Sequence, residues 1–93
     1  MIERDIEQYL IKQVHDCGGE IFKWSSPGNR GVPDRIVFIN KQVWFIELKR
    51  PGGKRDIQQV VVGKIIKRFT PNYLVISSKE NIDLFIVSIM VNI

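Results

Sequence analysis

The chain predicts an α/β domain in the order αβββαβα, with a sheet covered by helices on both sides. Three observations carry that expectation. An amphipathic helical pattern opens the chain, two adjacent runs rich in β-branched and aromatic residues are apolar on both faces, and a second helical pattern is followed by a short apolar strand.

In "ERDIEQYLIKQVHDCGG", Ile6, Leu10, Val14 and Cys17 recur at three- and four-residue steps, and Gly18-Gly19 stops the helix. Glu7 falls at the edge of this stripe, His15 falls on the far side, and Cys17 points inward. "EIFKWSS" reads as a strand. "PGNRGVP" is a loop whose last proline forces extended geometry just before Asp34. "RIVFI" and "VWFIELK", separated by "NKQ", read as an antiparallel hairpin. Ile36, Phe38, Val43 and Phe45 lie on one face, and Val37, Ile39, Trp44 and Ile46 on the other. "RPGGKR" is a basic glycine loop, and "DIQQVVVGKIIKRF" is a second helix with Asp56 as N-cap and Pro71 beyond its end. "YLVIS" is a fourth strand. "SSKENIDLFIVSIMVNI" opens on a capping box from Ser77 to Glu80 and favours a helix, although its β-branched content also suits a strand. A segment so apolar is either a dimer surface or a tail packed on its own sheet.

At 93 residues, 44% hydrophobic and 26% charged, the chain is expected to form one domain over 1–93, with one core. No stretch is apolar for long enough to span a bilayer and the N-terminal pattern is polar and acidic, so the expected location is cytoplasmic, with no membrane partner. One cysteine and one histidine exclude a disulfide framework and a Cys/His zinc site within one chain, leaving a hard cation bound by oxygen as the metal to consider. The net charge of +4 is unevenly spread. Between Lys23 and Arg68 stand eleven basic residues against three acids, Asp34, Glu47 and Asp56, a field that suits a polyanion such as a nucleic-acid backbone.

Two of those three acids sit at the ends of the hairpin. If its loop is Asn40-Lys41, then Ile39 opposes Gln42 and, counting outwards, Asp34 opposes Glu47 on the same face, with Cβ atoms about 4.5–5.5 Å apart. Two carboxylates so placed repel, at a cost of several kcal/mol on an apolar sheet unless a cation lies between them. Lys49 projects to the same side about 6.6–6.8 Å farther along, where an ammonium can hold a water or stabilise phosphoryl charge. A bare E-x-K is common. The combination with Pro-Asp on the partner strand and flanking glycine-rich basic loops is not.

Taken in order, "IEQYL", "GG", "SSPGNRGVPDRIVF", "FIELKRPGGK" and a glutamine ten residues after Lys49 resemble the successive blocks of the PD-(D/E)xK nucleases, and within them the VRR-Nuc domain (virus-type replication-repair nuclease). The resemblance implies a restriction-endonuclease-like αβββαβ core, a mixed four-stranded sheet flanked by helices on both faces, with a C-terminal helix added. It implies that Asp34, Glu47 and the backbone carbonyl of Leu48 bind Mg2+ or Mn2+ and that Lys49 orients or activates the attacking water. Glu7 would complete the acidic site and Gln59 would assist from the second helix. Gln58 and Gln59 both suit the top of that helix, and spacing alone does not separate them.

These residues point to metal-assisted hydrolysis of a DNA phosphodiester, with Arg30, Arg35, Arg50, Lys54 and Arg55 as phosphate contacts. Nothing resembles a base-reading helix, so branched or flapped DNA is the expected substrate. Small stand-alone members of the family look like two-fold junction resolvases, which implies a homodimer. The rival expectation is a nucleic-acid-binding module without catalysis, its basic loops holding phosphates.

Overall fold

The computed structural model describes residues 2–91. The elements are α1 (Glu3–Asp16), β1 (Glu20–Lys23), β2 (Arg35–Ile39), β3 (Gln42–Leu48), α2 (Ile57–Lys67), β4 (Tyr73–Ile76) and α3 (Lys79–Met90). They build one sheet in the order β1-β2-β3-β4, in which β1, β2 and β3 are antiparallel neighbours and β4 runs parallel to β3. A parallel neighbour requires a crossover, and α2 supplies it. The strand read from "EIFKWSS" is shorter than expected, because the chain leaves the sheet after Lys23 to form the 25–34 loop.

The hairpin loop is the two residues Asn40-Lys41, both with positive φ (49° and 61°), so Ile39 pairs with Gln42 and Arg35 with Ile46. Two successive left-handed residues match the twist of the flanking strands, and a lysine there is strained where glycine would not be. Replacing Lys41 with glycine is expected to raise stability by about 0.5–1 kcal/mol in a urea melt, with an unchanged m-value.

One face of the sheet carries the core. Ile21, Val37, Ile39, Ile46, Leu48 and Ile76 pack against Ile6, Leu10 and Val14 of α1 and Ile82, Phe85 and Ile89 of α3. Each such side chain, fully buried, stabilises the fold by about 1.5–3 kcal/mol. The Tyr9 hydroxyl donates to Asp83 at 2.6 Å and ties the two helices together at the surface. The C-terminal segment is therefore helical. Its cap is Ser78, not Ser77, because the Ser78 hydroxyl takes the Asn81 N–H at 3.1 Å while Asn81 receives the Ser77 N–H. Asn92 and Ile93 lie outside the described residues.

The other face carries α2. Gly63 lets the helix settle on Tyr73, whose ring atoms would stand 2.9 Å from any Cβ at that position. Helices thus lie on both faces, but the second face is covered only in part. A helix about 10 Å wide spans roughly two strands set about 4.8 Å apart. Two helices close the first face; α2 alone, placed over β4 and reaching β3 through Gln59, leaves β1, β2 and the start of β3 open, and Phe22, Phe38 and Val43 remain exposed there. Among the described residues no helix is long and apolar enough to cross a membrane.

Candidate metal and active site

Asp34 follows the buried Pro33 and stands one residue before β2. Its carbonyl accepts the Trp24 N–H at 3.0 Å, and its carboxylate Oδ2 accepts the Leu48 N–H at 2.7 Å. A side chain that bonds the backbone of the next strand is fixed in position without help from solvent. Glu47 projects beside it from β3. At 1% exposure it is the buried charged side chain among the described residues.

Oε2 of Glu47 accepts from the Gln59 side-chain amide at 3.1 Å and lies 3.6 Å from the Lys49 ammonium. Oε1 is buried with no hydrogen-bond partner. Burial first, and then the adjoining Asp34 carboxyl, push the Glu47 pKa from 4.5 up to about 8, against a smaller downward pull from Lys49. A buried carboxylate with an orphaned oxygen, held against a second carboxylate, is a costly arrangement for a domain of this size. Its donor set, two carboxylates beside the Leu48 backbone, is what a hard divalent cation takes, with the remaining positions left to water or phosphate. These residues fit Mg2+ or Mn2+.

Gln59 owes its orientation to the start of α2. Asp56 caps the helix by accepting the Gln59 N–H at 2.9 Å, and the Gln59 side-chain carbonyl accepts the Asp56 N–H at 2.9 Å, a reciprocal capping box. With its oxygen so occupied, the amide can present only hydrogens to Glu47. Gln58 is exposed, and the Asp56-x-x-Gln59 spacing was the sequence signal that separates the two glutamines. Asp56 itself was missed as a contributor to the site. Gly31, with φ of +92°, packs on the same turn, where a Cβ would come within 2.4 Å of the Gln58 carbonyl. Replacing Gln59 with alanine is expected to weaken metal binding about 10–100-fold by calorimetry, as loss of a ligand's outer partner does elsewhere.

Glu7 is engaged by an arginine of β2. Its Oε2 accepts from Arg35 Nε at 3.1 Å and lies 3.0 Å from Nη2 in an ion pair. Among the described residues no group of three or more His, Cys, Asp or Glu comes together to hold an ion. The helical position put Glu7 near this end of the sheet but could not show that a guanidinium from β2 intercepts it. Arg35, in turn, is engaged with Glu7, and Arg55 lies 5.9 Å over the Tyr73 ring with its hydroxyl at 3.5 Å. Arg30, Arg50 and Lys54 are exposed on the loops.

A mixed sheet with a parallel fourth strand, paired acids at the end of its hairpin and a lysine two residues on defines a PD-(D/E)xK-like domain. No family model matches the chain. A solved structure titled "VRR_NUC domain" superposes with a TM-score of 0.82 at 27% identity, over 90% of this chain and 92% of that one. A protein of Acyrthosiphon pisum secondary endosymbiont phage 1, named "Putative nuclease p44", is 47% identical over 53 residues, 56% of this chain. That match spans 57% of the relative's length. The chain has a VRR-Nuc-type fold, as its sequence blocks imply.

Proposed function

We propose that this chain is a cytoplasmic, metal-dependent nuclease that hydrolyses DNA phosphodiester bonds, with branched or flapped structures favoured. The observation that carries the reading is Glu47: buried, set against Asp34, and left with one oxygen unpartnered. A solely structural acid at that position would be better replaced by an apolar residue of the same volume. The likeness to a VRR-Nuc domain and to a relative named as a nuclease supports the same class.

In this reading Asp34, Glu47 and the Leu48 carbonyl hold Mg2+ or Mn2+. When bound, the ion supplies charge neutralisation at the phosphate and a water acidified towards neutral pH. Lys49 orients the attacking water and offsets charge that develops on the phosphoryl oxygens. Gln59 keeps Glu47 aimed, and Arg30, Arg50 and Lys54 hold flanking phosphates. Attack in line with the leaving oxygen breaks the P–O3' bond, so that one product ends in a 3'-hydroxyl and the other in a 5'-phosphate. Glu7, tied to Arg35, steadies α1 against the strand that follows Asp34, and it can join the ion's surroundings only by releasing that arginine.

The same reading includes a homodimer. On α3, Leu84, Val87 and Val91 are exposed on one stripe, opposite the buried Ile82, Phe85 and Ile89. Pairing these stripes would present two sites to a two-fold junction. A monomeric mass at micromolar concentration would rule that out.

A cleavage assay over junctions, flaps, single strands and duplex, run with EDTA, magnesium and manganese, tests the whole proposal. Activity with either ion and none in EDTA is expected, and Glu47→Ala should lose it while still binding DNA. If the unaltered chain binds these DNAs in a salt-dependent way and cuts none of them, it is a binding module.

A further inference from the structure

We infer that the open half of the second sheet face is a stacking surface for unpaired nucleic-acid bases, leading a single-stranded segment to the Asp34–Glu47 pair. The destination rests on the nuclease reading above; the binding itself does not.

The strand register joins the two features. Side chains two apart along a strand share a face, so Val43 and Phe45 lie on the same side of β3 as Glu47, and Ile36 and Phe38 on the same side as Asp34. Phe22 stands opposite Ile36 on β1. Trp24, bonded through its N–H to the Asp34 carbonyl, is in the row of the two acids, and its ring tilts over Phe45 at 5.6 Å and 49°. Phe22 is 55% and Phe38 44% exposed, their rings meeting edge to face at 5.9 Å. Aromatic rings thus continue from the half-buried Trp24 and Phe45 beside the acid pair to the exposed Phe22 and Phe38, on the part of the face that α2 leaves open.

Charge decides what this face receives. The loops at its acid-pair end carry the exposed Arg30, Arg50 and Lys54, and the hairpin turn at its other end carries Lys41, against Glu20, which stands opposite Phe38. The other acids of this face are the site pair itself. The basic loops at its ends attract an oligonucleotide, and every base offers a face to stack on an aromatic ring. The exposed stripe of α3 lies on the opposite side of the sheet, among Lys79, Glu80 and Asp83, where charges nearly balance. Self-association belongs there.

The test uses the full chain in EDTA, so that no DNA is cut. Trp44→Phe leaves Trp24 as the sole indole, and titration with an oligothymidylate should quench its emission. Phe22→Ala and Phe38→Ala should each weaken oligothymidylate binding roughly ten-fold. Phe38→Tyr should bind within about two-fold of the parent, since it keeps the ring. Fluorescence anisotropy of a labelled oligothymidylate makes the same comparison with Trp44 intact. Absence of quenching, or alanine variants that bind like the parent, would overturn the inference. So would alanine variants that lose dimer mass while keeping oligothymidylate affinity, since the face would then be an interface between copies. Cleavage with magnesium but without quenching retires the stacking surface and leaves the nuclease; quenching without cleavage does the reverse.

Discussion

Replacing Glu47 with glutamine should make the ion-free protein markedly more stable at pH 8.5 and leave its stability almost unchanged at pH 4. The Glu47 carboxyl has a folded pKa of about 8 against 4.5 when solvated. Between those values the folded state binds the extra proton, so stability contributed below pH 4.5 is lost as pH rises and is gone above pH 8. The interval corresponds to ~5 kcal/mol at 1.36 kcal/mol per pH unit, comparable with the lower end of a small domain's whole stability of about 5–15 kcal/mol. Glutamine keeps the shape, can accept from Gln59, can donate to Asp34 and carries no charge to desolvate. Urea melts from pH 4 to 9 measure the difference between the two proteins, which cancels the titration of groups they share. Magnesium should stabilise the parent and not the variant, increasingly so up to pH 8, because ion binding must displace the proton from Glu47. A variant no more stable than the parent at pH 8.5 would show that the acid pair imposes no strain on the fold.

Removing the ammonium should have the second large effect. In Lys49→Met the Nζ atom 3.6 Å from Glu47 disappears while much of the aliphatic stem remains. The turnover number is expected to fall about 10²–10³-fold, with a smaller change in KM, because the lost charge acts chiefly on the transition state. Loss of the one group that lowers the Glu47 pKa should also move the pH at which magnesium binds upward. Lys49→Arg keeps the charge but spreads it over a planar fork, and should recover the metal-binding pH more fully than the rate. Equal effects of Lys49→Met on kcat and on DNA affinity measured in EDTA would instead make Lys49 a phosphate contact.

The sequence was most informative where a short constraint fixed a long consequence. A two-residue loop at Asn40-Lys41 settles which residues of β2 and β3 oppose one another, and so brings Asp34 and Glu47 together. The helices and their order were equally legible from period and caps. Tertiary facts were not. Apolar residues on both faces of the hairpin gave helices on both sides, but an alternating strand does not state how wide the layer above it is. Glu7 was placed by its angle around α1, which carries no information about the guanidinium waiting on β2. The Leu48 N–H that holds Asp34 was hidden for the same reason, since backbone donors leave no trace in residue identity.

Gln59 belongs at once to the first turn of α2 and to the ion's surroundings. Winding that turn and arming the acid pair are consequently a single event rather than two. Whatever frays the start of the helix should be felt as poorer retention of the ion, and a bound ion should slow hydrogen exchange in that turn.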